Sequence, residues 1–322
     1  MGGKKKRYPR NESLYSIIQE NEILVYLEYL PLAVWSVVKD KTLWHGIGRP
    51  PKRLYDILIC LEIYRYFGFS LRRNIGILKL IKKAGYIPEV DIPCFKTLDN
   101  YLNNPEIKPY LDELIKVTSI PLNVLEHFFA TDSTGTSTNC FSSWYSIRTK
   151  KKTKKRDHIM AHVSIGTKSN IVTAIDVKIK SGRDSVIFRD HVKKIYKNFE
   201  IWEWSGDSAY LSRNNCDTVE AFGGEPWFRL KSNTTAKAKG SRAWKNMVNI
   251  SKEHPEIASP KYHRRSNVES TNSAKKRKFR SYVRTKNDTA KINEELLGWI
   301  SYNFTVLGRS KYEFNINPNF AA

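Results

Sequence analysis

Apolar residues recur at Leu14, Ile17, Ile18, Leu24, Val25 and from Leu27 to Leu30, a rough helical stripe that predicts a helix over Leu14–Tyr29. Gly48-Arg49-Pro50-Pro51 breaks the pattern. Three further helices are predicted at Leu54–Phe67, Ser70–Ala84 and Cys94–Leu102, with Gly68 separating the first two and Gly85, Pro88 and Pro93 between the second and third. Past Pro121 the period changes. Phe128–Asp132 reads as a short buried strand, and His158–Ile165 and Ile171–Ile179 alternate around a Gly166–Asn170 turn, as a hairpin does. Asp184–Tyr196 is predicted as a helix, Ile201–Ser205 as a strand, Ser212–Phe222 as a helix and Pro226–Leu230 as a strand. Helices follow at Ser241–Glu253, His263–Tyr282 and Asn293–Leu307. Three strands followed by alternating helices and strands predict an α/β fold, a mixed sheet with helices on both faces.

The pattern divides the chain into a helical segment over 1–122, a sheet-containing domain over 123–308 and a tail over 309–322. The helix trio has the makings of a helix-turn-helix unit. Its third helix would then face DNA with Lys96, Thr97, Asn100 and Tyr101. A plain helical bundle has the same pattern.

Charge adds a partner to this picture. The chain has 322 residues, 55 Lys and Arg against 32 Asp and Glu, and a formal net charge of +23. Such an excess favours a polyanion, a nucleic acid or an anionic membrane. The apolar stretch Ile23–Val38 contains Glu28 and Pro31 and is shorter than the ~20 residues of a spanning helix, so no membrane partner is expected. No secretory signal is visible, and the compartment is expected to be cytoplasmic. Cys60, Cys94, Cys140 and Cys216 are widely spaced and contain no Cys-x-x-Cys pair, which excludes a zinc module of that type.

Candidate chemistry comes from three acids. Asp132 ends an apolar strand in Phe128-Phe129-Ala130-Thr131-Asp132-Ser133-Thr134-Gly135, and Asp207 ends another in Trp204-Ser205-Gly206-Asp207-Ser208-Ala209-Tyr210. Strand ends are where α/β sheets place reactive groups. Alone, each Asp is most simply a turn or cap residue. Glu269 is the single acid among ten Lys and Arg between Lys261 and Lys286. On a continuous helix Tyr262, Arg265, Glu269 and Lys276 fall near one face. Three carboxylates at one point repel unless cations join them, and hard oxygen donors suit Mg²⁺. A pair of such ions can clamp an in-line phosphoryl displacement. Arg265 would fork onto a phosphate, Lys276 add a point charge and Tyr262 donate a hydroxyl or stack.

The spacing Tyr262-x2-Arg265-x3-Glu269-x6-Lys276 resembles the signature of one large group of prokaryotic insertion-sequence transposases with a DDE catalytic triad. Ala130–Gly135 and Gly206–Tyr210 look like that group's first and second Asp motifs, 75 residues separating Asp132 from Asp207 and 62 separating Asp207 from Glu269. Gly48–Pro51 and the helices after it loosely resemble the group's DNA-binding region, so that the likeness covers about 50–310. The short second gap leaves no room for the large β-rich insertion that some members carry. The resemblance implies a ribonuclease-H-like five-stranded mixed sheet behind an all-α DNA-binding domain. It implies catalysis and metal binding by Asp132, Asp207 and Glu269 with two Mg²⁺ ions, Mn²⁺ being able to substitute. Its substrates would be double-stranded DNA, the terminal inverted repeats and a target, engaged by a homodimer near the nucleoid. Water would cut a phosphodiester at the element's end, and the freed 3′ hydroxyl would join another. The alternatives are a nuclease of the same fold that cuts without joining and a non-catalytic DNA-binding descendant.

Two more segments are candidates for DNA contact. Arg148–Arg156 holds seven bases and no acid, among them Lys151, Lys152, Lys154 and Lys155, and reads either as a solvated loop or as a backbone clamp. Lys4–Arg10 is a basic arm or a soluble tail. Trp244 lies in a basic segment, and in related transposases an aromatic of this region stacks on a displaced base. Its simpler reading is a core residue of an amphipathic helix. Trp202 and Trp204 read as sheet packing, and His158 and His162 as structural.

Overall fold

The computed structural model describes residues 11–43, 50–138, 148, 158–179 and 184–320. Helix α1 (Glu12–Val38) begins at Asn11, whose side chain accepts the Leu14 N–H, a cap worth about 1 kcal/mol. It runs well past the predicted end at Tyr29 and through Pro31. Ala33, Val34 and Val38 are fully buried beyond the proline, so packing overrides the lost backbone hydrogen bond. The continuous helix also corrects the expectation of a stretch too short for a bilayer. By length and composition α1 passes that test, while half of its apolar window is buried inside the protein.

Helices α2 (Leu54–Phe67), α3 (Leu71–Lys83) and α4 (Phe95–Leu102) match their predicted spans to within a residue. Gly48 and Arg49 of the predicted break lie outside the described residues, while Pro50 and Pro51 are non-helical as expected. The α2–α3 corner is made by Gly68, which is left-handed at φ +73°, and by Ser70, which caps α3. Helix α5 (Lys108–Ser119) was not predicted, although Leu111, Leu114, Ile115 and Thr118 mark its buried face.

The sheet is five-stranded in the order β3-β2-β1-β4-β5. Its strands are β1 (Phe128–Ser137), β2 (His158–Gly166), β3 (Val172–Lys178), β4 (Glu203–Gly206) and β5 (Glu225–Phe228). β1 pairs antiparallel with β2 and parallel with β4, so the sheet is mixed, as the pattern predicts. Helices α6 (Asp184–Tyr196), α7 (Arg213–Ala221) and α8 (Arg242–Glu253) share one core with the aromatic side of the sheet, around Phe129, Phe188 and Trp204. The predicted helix over His263–Tyr282 is the shorter α10 (Ser266–Lys278); before it, across a break at Arg264 and Arg265, lies α9 (Pro255–His263), which was not predicted. Helix α11 (Asp288–Glu313) continues beyond the predicted 308 boundary.

The second core joins α1, α2, α5 and α11 to Ala130, Ile159, Val163 and Ile175 of the sheet. One hydrophobic core thus crosses the change of pattern near residue 122. Glu126, fully buried, accepts the Lys168 and Ser169 N–H groups and so fixes the β2–β3 turn against the start of β1.

Candidate active site

The register of the two central strands brings the two aspartates together. Thr131 of β1 lies opposite Gly206 of β4, and the chains run parallel. Asp132 and Asp207, the next residues on each, therefore emerge side by side at a spacing of about 4.8 Å between strands. β4 ends there because Asp207 turns back and its carboxylate accepts the Ser208 N–H at 2.7 Å. Beneath them β1 is pinned by a buried polar chain. Trp204 Nε1 donates to Thr131 Oγ1 at 2.8 Å, Thr131 shares a 2.7 Å bond with Ser164, and Ser164 meets His191 Nδ1 at 2.8 Å. Burial holds the His191 pKa down to about 3, so this histidine is neutral and structural. His162, 1% exposed in the β2 register opposite Ser133, is also structural.

Helix α10 delivers the third acid. Val268 is fully buried and anchors the helix to the core, leaving Glu269 exposed. The broken helix does not give Tyr262, Arg265, Glu269 and Lys276 a common helical face, yet three of them still meet. Arg265 Nε donates to the Tyr262 hydroxyl at 3.2 Å, and its Nη2 reaches Glu269 Oε1 at 2.5 Å. Its Nη1 lies 3.9 Å from Asp132 Oδ2. Arg265 is thus a cation between two of the acids. Next to it Arg264 and Lys261 pair with Glu203 and tie the α9–α10 corner to β4. Lys276 is half-buried, while its neighbour Lys275 is fully buried and bonded to Glu295 at 2.5 Å.

Asp132 feels the charges of both other acids. Burial raises the Asp132 pKa above the usual carboxylate range, and the charges of Glu269 and Asp207 raise it further. The Ser133 N–H and Arg265 oppose the rise. Among the described residues, however, no three His, Cys, Asp or Glu side chains approach closely enough to ligate one ion. The carboxylates are gathered within electrostatic reach, with a guanidinium between them.

Of the other candidate residues, Lys96 and Asn100 are exposed on α4, and Lys96 pairs with Asp99 at 2.9 Å. Trp244 corrects the stacking expectation. It is 7% exposed in the core beneath α8, its indole N–H donates to the Thr235 carbonyl at 2.9 Å, and Arg213 covers its ring. Trp202 is also corrected, being exposed and stacked on His127 rather than packed in the sheet. Lys151, Lys152, Lys154, Lys155 and Lys4–Arg10 lie outside the described residues.

Comparison with known proteins gives one match, the transposase DDE domain over residues 126–304. Neither the curated proteins nor the solved structures yield a match. The matched region is more than half of the chain and runs from Glu126, beside β1, into α11, so it contains the whole sheet and the three acids. A mixed five-stranded sheet flanked by helices, behind an N-terminal helical region, is consistent with the ribonuclease-H-like fold of transposases. On this match and this architecture, the chain belongs to the transposase DDE domain family.

Proposed function

We propose that this protein is a DNA transposase that cuts phosphodiesters at the ends of a mobile element and joins the freed 3′ hydroxyl to a target, with Asp132, Asp207 and Glu269 as its catalytic acids. The observation that carries this reading is the shared field of the three acids, two on adjacent parallel strands and one on α10.

The donor set fits a hard divalent cation. All three side chains offer carboxylate oxygens, and Asp132 sits where burial and two like charges penalise its ionised form, a penalty that a bound cation would remove. Asp132, Asp207 and Glu269 would hold two Mg²⁺ ions, which supply activation of the attacking oxygen and neutralisation of the leaving one. Arg265 then becomes free to fork onto a phosphate, oriented by its bond from Nε to Tyr262. Lys276 would add a point charge further along α10, and Lys96 and Asn100, both exposed on α4, would meet the duplex. A homodimer would hold two element ends together.

The test is incubation of the purified chain with the DNA that flanks its gene and Mg²⁺, mapping nicks and joined products. Nicks and joints in the wild type and none in Asp132→Asn are expected. Nicks without joints would reduce the activity to a nuclease, and unchanged cleavage by Asp132→Asn would remove the site.

A further inference from the structure

The interior holds a second cluster of charge whose balance is the reverse of the first. Arg65 of α2 is fully buried, and none of its three guanidinium nitrogens has a hydrogen-bond partner. Its nearest acid, Glu294, is 3.9 Å away. Arg280, just after α10, also has all three side-chain nitrogens buried and unpartnered. Its backbone is left-handed at φ +66°, a conformation that a residue with a Cβ rarely adopts. It lies against Gly68 at the α2–α3 corner, where an added Cβ would stand 3.4 Å from the guanidinium. The positive charges of Arg65 and Arg284 both act on Arg280 and, with burial, lower its pKa.

A buried guanidinium without acceptors is costly, and strained backbone that holds it in place adds to that cost. Glu294 offsets only part of the cluster's charge. One of its oxygens accepts the Arg284 and Thr285 N–H groups and the other the Tyr64 hydroxyl. The cluster backs onto a cavity of about 570 Å³ lined by Tyr64, Arg72, Phe95, Asp99, Arg284 and Lys286. Asp99 is already paired with Lys96, and Arg72 sits over Phe95 at 4.1 Å with no ion pair to an acid among the described residues. The N-caps of α3 and α11, Ser70 and Asn287, open on the same cavity and bring helix-dipole positive ends to it.

We infer that this cavity, formed by Arg72, Arg284 and Lys286 in front of Arg280 and Arg65, binds a phosphate of the DNA backbone. The inference rests on the transposase reading for the identity of the polymer, though not for the chemistry of the pocket. Eleven residues separate Glu269 from Arg280, which lies behind the pocket and not in its lining, a span of at most about 16 Å. At about 3.4 Å per nucleotide on one strand, that spans roughly five steps from the bond being cut. One duplex can reach both places.

The decisive variant is Arg280→Gly, which removes the unpaired charge and relieves the left-handed strain together. An arginine kept for the fold would destabilise the protein on removal. An arginine kept for a ligand would not. We expect Arg280→Gly to keep or raise the melting temperature, to weaken binding to a mixed-sequence duplex about tenfold, and to make the slope of log affinity against log salt shallower by about 0.9. Inorganic phosphate should raise the melting temperature of the wild type and not that of the variant. The triple change Arg72→Gln, Arg284→Gln, Lys286→Gln touches exposed or partly exposed groups and should reproduce the loss of binding in a folded protein. A variant that melts lower and binds DNA and phosphate as the wild type does would overturn the inference. Mg²⁺-dependent cutting separates the two readings. If the wild type cuts its flanking DNA while neither variant changes the salt slope, the pocket falls and the transposase stands. If the wild type does not cut but its Arg280-dependent response to phosphate persists, the pocket stands alone.

Discussion

The two ends of α10 carry opposite charge problems. Near its start Glu269 joins Asp132 and Asp207, acids brought close with one guanidinium among them. Past its end Arg280 joins Arg65 and Arg284, with Glu294 beside them and no hydrogen-bond acceptor for the Arg65 or Arg280 guanidinium nitrogens. Between the two, Lys275 shows a more settled buried charge, bonded to its acid although one Glu295 oxygen is left without a partner. It donates to Glu295, which also accepts from Trp299 Nε1 and Thr136 Oγ1. The contrast teaches that burial of charge alone does not mark a site. The marks are like charges held together and polar atoms left without partners, because folding alone gives no reason for either.

The comparison can be broken most severely at the acidic end. Glu269→Ala is expected to abolish Mg²⁺-dependent cleavage, a loss of at least about 10²-fold, since removing even an outer-shell partner of a metal site costs 10–100-fold. DNA affinity, measured separately, should stay near that of the wild type. Near-normal cleavage by this variant would make Glu269 an ordinary ion-pair partner of Arg265.

The settled pair supplies the next test. Lys275→Met leaves Glu295 without its buried cation and should cost about 3–5 kcal/mol in denaturant unfolding. Arg280→Gly, five residues further on, should cost nothing. Equal losses from the two would erase the distinction between a paired and an unpaired buried base.

A smaller, pH-dependent effect belongs to Glu62, whose burial raises its pKa to about 8 against the opposing pull of Ser301 and Arg65. The unfolded chain releases this proton in the ordinary carboxylate range and the folded chain holds it. Stability from Glu62 is therefore full in acid and lost as pH rises toward 8, with a slope of at most about 1.4 kcal/mol per unit. Glu62→Gln should flatten that part of the stability profile, and an unchanged profile would show Glu62 ionised in the fold. The smallest effect is expected at α4. Lys96→Ala breaks an exposed pair with Asp99 worth about 0.2–1 kcal/mol, so stability should barely move. If α4 faces DNA, the salt slope should fall by about 0.9. No change in slope would make α4 a plain bundle helix.

Much of the acidic site is legible in the chain, because it is built from local signals. Asp132 and Asp207 each follow an apolar run, and the residues around Glu269 hold ten bases. Helices over Leu54–Phe67 and Asp184–Tyr196 follow from their spacing alone. The break at Arg264 and Arg265 is not legible, since the helix-like spacing continues across it. What turns the chain there is tertiary, the pairing of Lys261 and Arg264 with Glu203 on β4. Trp244 misleads for a similar reason. Its basic neighbours suggest DNA, and only the packed helix shows the indole turned inward. The arginine cluster is the least legible of all, because Arg65 and Arg280 are 215 residues apart and nothing near either predicts the other.

The stretch after Arg280 returns to the far end of β1. Ser137 N–H donates to the Ser281 carbonyl at 3.1 Å, and Val283 N–H donates to the Ser137 carbonyl at 3.0 Å. Strand β1 is therefore tied to α10 and the stretch after it at two places, by the Asp132–Arg265–Glu269 contacts in its middle and by this clasp at its end. Such a frame holds its two ties in one register, so a DNA backbone bound as proposed at both places would be spaced by the residues between Glu269 and Arg280.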